Sequence, residues 1–408
     1  MSRFRSTVVW VSLSMSLSAC GGGDSTPASI QMGGSVQGRL LILSPAVSTL
    51  AGSSTNGTAD GTGTAARFSN PQGITTDGTN LYVADGTNFT IRRVGISFGN
   101  VSTLAGSAGS SGSSDGTGGG ARFSSLYGIT TDGANLYVAD AGNNTVRKVV
   151  IATGAVTTLA GSAVNPPNST DGTGAAARFN FPQGVTTDGA NVFVADAGNN
   201  TIRKIAIGTG VVTTLAGSAA DPPGSADGTG IAARFNNPVG ITTDGANLYV
   251  TDAGNNTIRK IVIGTGAVTT LAGSPGIPGA VDGTGAFARF TGPSAITSDG
   301  TYLYVTDDGS TVRKVTINAG IVKTDVIGPN GVPITTTVAV AAGTVSTLAG
   351  RPGFYGAIDG TGDFISLETG VSLLTFGDAR FWFPQGITTD GRNLYVSDSV
   401  NNMVRKVY

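Results

Sequence analysis

The chain has 408 residues and a formal net charge of −1, and 12% of its residues are charged. So balanced a charge gives no global field toward nucleic acid or acidic lipid. Histidine is absent, Cys20 is the only cysteine and Glu368 the only glutamate. That removes the usual general base, the usual zinc ligand and any catalytic thiol beyond Cys20. Abundant Gly, Thr, Ser and Ala suit short strands joined by many turns, and no segment has a convincing helical period.

Residues 1–20 read as an export signal. Arg3 and Arg5 form a positive start, Val8 to Leu17 an apolar stretch diluted by serine, and Leu17-Ser18-Ala19-Cys20 a small-residue cleavage site ending in cysteine. This resembles the bacterial lipoprotein signal. The resemblance implies cleavage before Cys20 and a diacylglycerol on its sulfur, a stable anchor once two or three acyl chains are present. The alternatives are an ordinary secretory signal or a short membrane anchor, but the apolar run falls short of the roughly 20 residues a spanning helix needs. Residue 21 is Gly and not Asp, which by the same resemblance favours the outer membrane. Residues 21–45 read as a Gly/Ser/Thr-rich flexible tether. The expectation is an exported protein of the cell envelope, held to the membrane through lipid at Cys20.

From residue 46 the sequence is periodic. Val-Ser/Thr-Thr-Leu-Ala-Gly begins at Val47, Val101, Val156, Val212, Val268 and Val345. Ala-Arg-Phe places its arginine at Arg67, Arg122, Arg178, Arg234, Arg289 and Arg380. Apolar runs from Ile74, Ile129, Val185, Ile241, Ile296 and Ile387 lead into Asp-Gly, and Leu-Tyr-Val-like runs end at Asp85, Asp140, Asp196, Asp252, Asp307 and Asp398. Third runs carry Arg92, Arg147, Arg203, Arg259, Arg313 and Arg405. Six copies at a spacing of about 55 residues mark a propeller or solenoid.

Each copy holds four short β-type runs separated by Asp-Gly, Gly-Asn-Asn and Thr-Gly turn signals. Runs such as Leu81-Tyr82-Val83-Ala84 are apolar on both faces, as a blade packed between two neighbours requires. The folded part opens on an outer-strand phrase, Val47–Gly52, and ends at Tyr408 after a third strand. The predicted fold is therefore an all-β, six-bladed β-propeller of four-stranded blades over residues 46–408, closed by the N-terminal strand pairing with the last blade.

Pro71-Gln72-Gly73-Ile74-Thr75-Thr76-Asp77, Asn80-Leu81-Tyr82-Val83-Ala84-Asp85 and Ile91-Arg92-Arg93-Val94 resemble the NHL repeat. The match recurs six times, is specific for the fold and says little about function. It departs from the family pattern at Thr75 and Thr76 in place of small apolar residues, at Leu126 in place of Pro and at Ala295 in place of Gly.

Asp-Gly-Thr-Gly recurs at Asp60, Asp115, Asp171, Asp227, Asp282 and Asp359, with one altered copy. One carboxylate per loop is too few for a calcium loop, so a structural turn is expected and no metal or cofactor is assigned. The Ala-Arg-Phe arginines follow in the same loop. Two readings remain open for them: an Asp–Arg pair within each loop, or a ring of six guanidinium groups round one end of the channel that holds an anion. The phenylalanines beside them, Phe68 through Phe381, are expected as wedges between blades. The second-strand aspartates read as turn caps and the third-strand Arg-Lys pairs as solvated edge positions.

Two insertions break the symmetry. Residues 318–344 contain Pro329-Asn330-Gly331 and read as a hairpin. Residues 363–378 carry Phe376 and lie beside Phe354, Tyr355 and Trp382, an aromatic group that is either a contact surface or a cover for the seam. The favoured function is a binding or scaffolding module for a protein or glycan through the loop face, with no nucleic acid. A hydrolase or lyase resembling the gluconolactonase type, with a channel metal, is the first alternative; it would need a site of Asp and Asn alone, because Glu368 lies in an insertion. A structural spacer is the second.

Overall fold

The structure is a computed structural model and describes residues 46–164, 167–307, 310–327, 333–361 and 379–408. The expected signal with Cys20, the expected tether, residues 362–378 with Phe376, and Pro329-Asn330-Gly331 lie outside the described residues.

Six sheets of like order radiate from a central channel, as the period requires. In the second blade the inner strand is Leu126–Thr131, followed outward by Asn135–Asp140, Thr145–Val150 and Ala155–Gly161. A fifth strand of two residues, Gly116–Thr117, pairs with the outer strand. This strand was not expected. It is the Gly-Thr of each Asp-Gly-Thr-Gly phrase, so the connector from one blade touches the outer edge of the next before turning inward.

Closure occurs as the sequence predicts. Ala46–Gly52 is the outer strand of the last blade and pairs antiparallel with Met403–Val407, with Val47 opposite Val407 and Gly52 opposite Met403. Between the third and outer strands of the fifth blade, Gly320–Ile327 and Pro333–Val340 pair as a separate antiparallel hairpin.

The apolar core is six wedges, one between each pair of blades. Strand alternation divides Leu81-Tyr82-Val83-Ala84 between two of them. Leu81 and Val83 face the last blade's Tyr395 and Val404, while Tyr82 and Ala84 face Ile129 and Leu136 of the second. Phe68 is fully buried in the seam between the last and first blades, the wedge role expected of it.

Around the channel, neighbouring inner strands come into backbone contact. A Cβ on Gly73 would strike the Tyr127 carbonyl, and one on Gly128 the Gln183 carbonyl. Glycine is thus required by close approach. Where Ala295 replaces it, the inner strand is only Ile296–Ser298, against six residues in the other blades.

Candidate functional site

The recurrent charges of each blade belong to one buried network. In the second blade, Arg147 Nη1 donates to Asp140 Oδ2 at 2.8 Å, and Nη2 to Asp115 Oδ1 at 2.7 Å. The same guanidinium donates to the carbonyls of Arg122 and Ser114, at 3.0 and 3.2 Å, and lies 5.2 Å from the Phe123 ring centroid. Asp140 Oδ1 accepts from the Ser124 amide and Oδ2 from the Asn143 carboxamide, both at 2.8 Å. Asp115 also accepts from the Thr158 amide and hydroxyl, where a bulge breaks the ladder between the third and outer strands. Every blade repeats the pair of ion contacts, 2.8–3.0 Å to the second-strand aspartate and 2.7–2.8 Å to the connector aspartate.

Two expectations are corrected by this network. The third-strand arginines are not solvated edge positions: Arg92, Arg147, Arg203, Arg259, Arg313 and Arg405 are among the largest fully buried side chains. They are buried because the connector crosses the blade end and closes over them. Nor does the connector aspartate pair with the Ala-Arg-Phe arginine; its partner comes from the third strand. Burial pushes Asp85, Asp140, Asp196 and Asp398 up to about 6, although backbone amides, asparagines and arginines favour the charged form. These charges are already engaged within the protein.

The Ala-Arg-Phe arginines are half-buried and curl onto their own turns. Arg122 Nη1 donates to the carbonyls of Gly119 and Ala121 at 2.6 and 2.8 Å. Arg67, Arg178 and Arg289 bond their own turns likewise. Arg234 does so and pairs with Asp221 at 2.6 Å. Arg380 lies over the Phe354 ring, 5.1 Å from its centroid. None of the six lines the central cavity.

On the same face, at the sixth blade, Phe354, Tyr355, Trp382 and Phe383 stand 43–48% exposed. Arg351 covers Phe354 at 3.9 Å, and Tyr355 stacks on Phe383 at 6.1 Å with planes 2° apart. Phe383 has φ 51° and Phe181, in the third blade, φ 52°, left-handed conformations that are costly for bulky side chains.

The central cavity measures about 110 Å³ and is lined by four consecutive residues from each blade, on the inner strand or, for Ser294 and Ala295, just before it. None of the 24 lining residues is charged. Its upper layer is Gln72, Tyr127, Gln183, Val239, Ser294 and Gln385; its lowest is a ring of six threonines, Thr75, Thr130, Thr186, Thr242, Thr297 and Thr388. The Thr75 departure from the repeat pattern was the signal for this ring, but its place on the channel wall emerges only once the inner strand is located. Among the described residues no three Asp, Glu or Cys side chains converge as a metal site.

No family model matches the chain. It is 28% identical over 293 residues to human NHL repeat-containing protein 2 and 27% identical over 298 residues to the chicken protein of that name. These matches take in 64% and 65% of this chain but only 40% and 41% of the relatives' length. Among solved structures, a protein of unknown function from Bacteroides thetaiotaomicron aligns with TM-score 0.60 at 20% identity, over 88% of this chain and 75% of the other. Auxiliary nutrient binding proteins from B. thetaiotaomicron and Bacteroides ovatus align with TM-score 0.59 at 16% and 18% identity, over 89% and 90% of this chain and 76% and 77% of theirs. At these identities the structures share the fold.

Proposed function

Taking the chain as a six-bladed β-propeller of NHL-type repeats, we propose that it is a binding module of the cell envelope. It is anchored by lipid at Cys20 and presents the connector face to a protein or glycan. The exposed cluster of Phe354, Tyr355, Trp382 and Phe383 carries this reading, because it gathers four exposed aromatic side chains at one blade. The half-exposed edges of the Ala-Arg-Phe arginines flank it on the same face and complete the candidate contact surface. Two solved propellers of this fold are auxiliary nutrient binding proteins, which supports binding as the role.

The test compares the wild-type chain with a Tyr355→Ala/Trp382→Ala variant as immobilised bait for envelope extract. A partner held by the wild type and lost from the variant supports the reading. Equal capture by both counts against it. Cys20→Ser should move the protein from the membrane to the soluble fraction; unchanged fractionation contradicts the anchor.

A further inference from the structure

The inner strands repeat closely in three of the four layers that line the channel. Glycine or alanine, then isoleucine or valine, then threonine recur blade by blade. The upper layer does not repeat: it reads Gln, Tyr, Gln, Val, Ser, Gln in blade order. The fold therefore constrains the lower layers and leaves the upper one free to differ.

Three side chains of the upper layer share a chemistry. Among the described residues, no hydrogen bond within the protein engages the Gln183 or Gln385 carboxamide or the Tyr127 hydroxyl, although all three are partly buried. Each carboxamide offers two donors and an acceptor, and the phenol offers both roles. Beside them, Phe181 packs edge-on against Tyr127 with centroids 5.2 Å apart and planes at 68°. Phe181 holds its position at φ 52°, where the equivalent residues of the first and fourth blades are Asn70 and Asn237. Backbone strain of that kind costs on the order of 1 kcal/mol or more, so a small polar residue there would be less strained.

We propose that the upper channel binds one neutral sugar ring. A pyranose has an apolar face of C–H groups that suits an aromatic side chain, and a rim of hydroxyls that needs both donors and acceptors. The upper layer supplies both. The absence of charge from the wall disfavours an ionic ligand, whose desolvation would go uncompensated. The whole cavity, about 110 Å³, is several-fold larger than the roughly 10–15 Å³ needed to hold one water, which leaves room for a ring at its upper end. The threonine ring lines the lower end with uncharged hydroxyls. This assignment deepens the binding reading but uses residues apart from the Phe354–Trp382 cluster.

The probes are methyl β-D-glucopyranoside, methyl β-D-galactopyranoside and N-acetylglucosamine, with glucuronate as the charged control. Each is titrated into the full chain and followed by saturation-transfer NMR. At least one neutral probe should bind saturably, and Gln183→Ala and Gln385→Ala should each weaken it about tenfold, one lost hydrogen bond apiece. Near-UV circular dichroism of the variants confirms that they fold. No saturable binding by a neutral probe, binding by both variants as tight as by the wild type, or tighter binding of glucuronate overturns the proposal. Tyr355→Ala/Trp382→Ala leaves the channel wall intact. Equal capture of the partner by that variant fails the surface reading alone, and no saturable sugar binding by the wild type fails the channel reading alone, so the two failures are distinguishable.

Discussion

Replacing Arg147 by methionine removes the centre of one blade's ionic network while keeping much of the side-chain volume. Asp140, fully buried, then loses its cation, and the carbonyls of Arg122 and Ser114 lose a donor. Breaking a buried pair from one side costs about 3–5 kcal/mol, because the remaining charge stays buried. Asp115→Asn is the control. Its side chain is 48% exposed, and asparagine still offers an acceptor to Thr158. Solvent screening holds its cost to about 1 kcal/mol. Urea unfolding at pH 7, read by circular dichroism, should therefore separate the two variants by several kcal/mol. At pH 5 the gap should narrow, since Asp140 already titrates at about 6 with its arginine present and takes up a proton more readily without it. An Arg147→Met variant no less stable than Asp115→Asn at pH 7 would refute the claim that the network holds the connector to the blade.

Three further outcomes follow from the same geometry. Asp85, Asp140, Asp196 and Asp398 bind protons more readily folded than unfolded, so they make stability rise as pH falls from 7 toward 5. Asp77, Asp115, Asp132 and Asp244 lie below the usual carboxylate value, because hydrogen bonds outweigh their burial; their contribution is lost as pH falls below about 4. The melting temperature should thus peak near pH 5, and a steady fall from pH 7 to 5 would show that the arginines outweigh burial. Gly128→Ala should cost about 1–3 kcal/mol, because its Cβ meets the Gln183 carbonyl, whereas Gly120→Ala, with open space around it, should cost far less in the same denaturation. Removing residues 1–52 leaves Met403–Val407 an open edge; size-exclusion chromatography should show association, and an unchanged monomer would contradict the closure.

The fold was legible because its evidence is periodic. Six phrase sets, turn signals at fixed places and the phase of Val47–Gly52 against Tyr408 leave one closed arrangement. The arginines were misread because Val-Arg-Lys-Val on a strand looks like a solvated edge, and only the connector's path over the blade end buries Arg147. A signal was present: the connector aspartate and the third-strand arginine recur in all six blades, 32 residues apart in each of the first four, whereas the residue after that arginine is Arg93 in the first blade and Lys148 in the second. The aromatic cluster was visible as composition around Phe354 and Trp382. The channel site was not, because Tyr127, Gln183 and Gln385 are far apart in sequence and meet only when the ring closes.

The central claim is that the connector face at the sixth blade, and not the opposite face, meets the partner. A photo-crosslinking phenylalanine placed at Trp382 tests it against the same group placed at Phe98, which is 81% exposed on the far side in the turn between third and outer strands. Irradiation of intact cells should give a discrete adduct from position 382 and none from position 98. An adduct from position 98 alone would contradict the account.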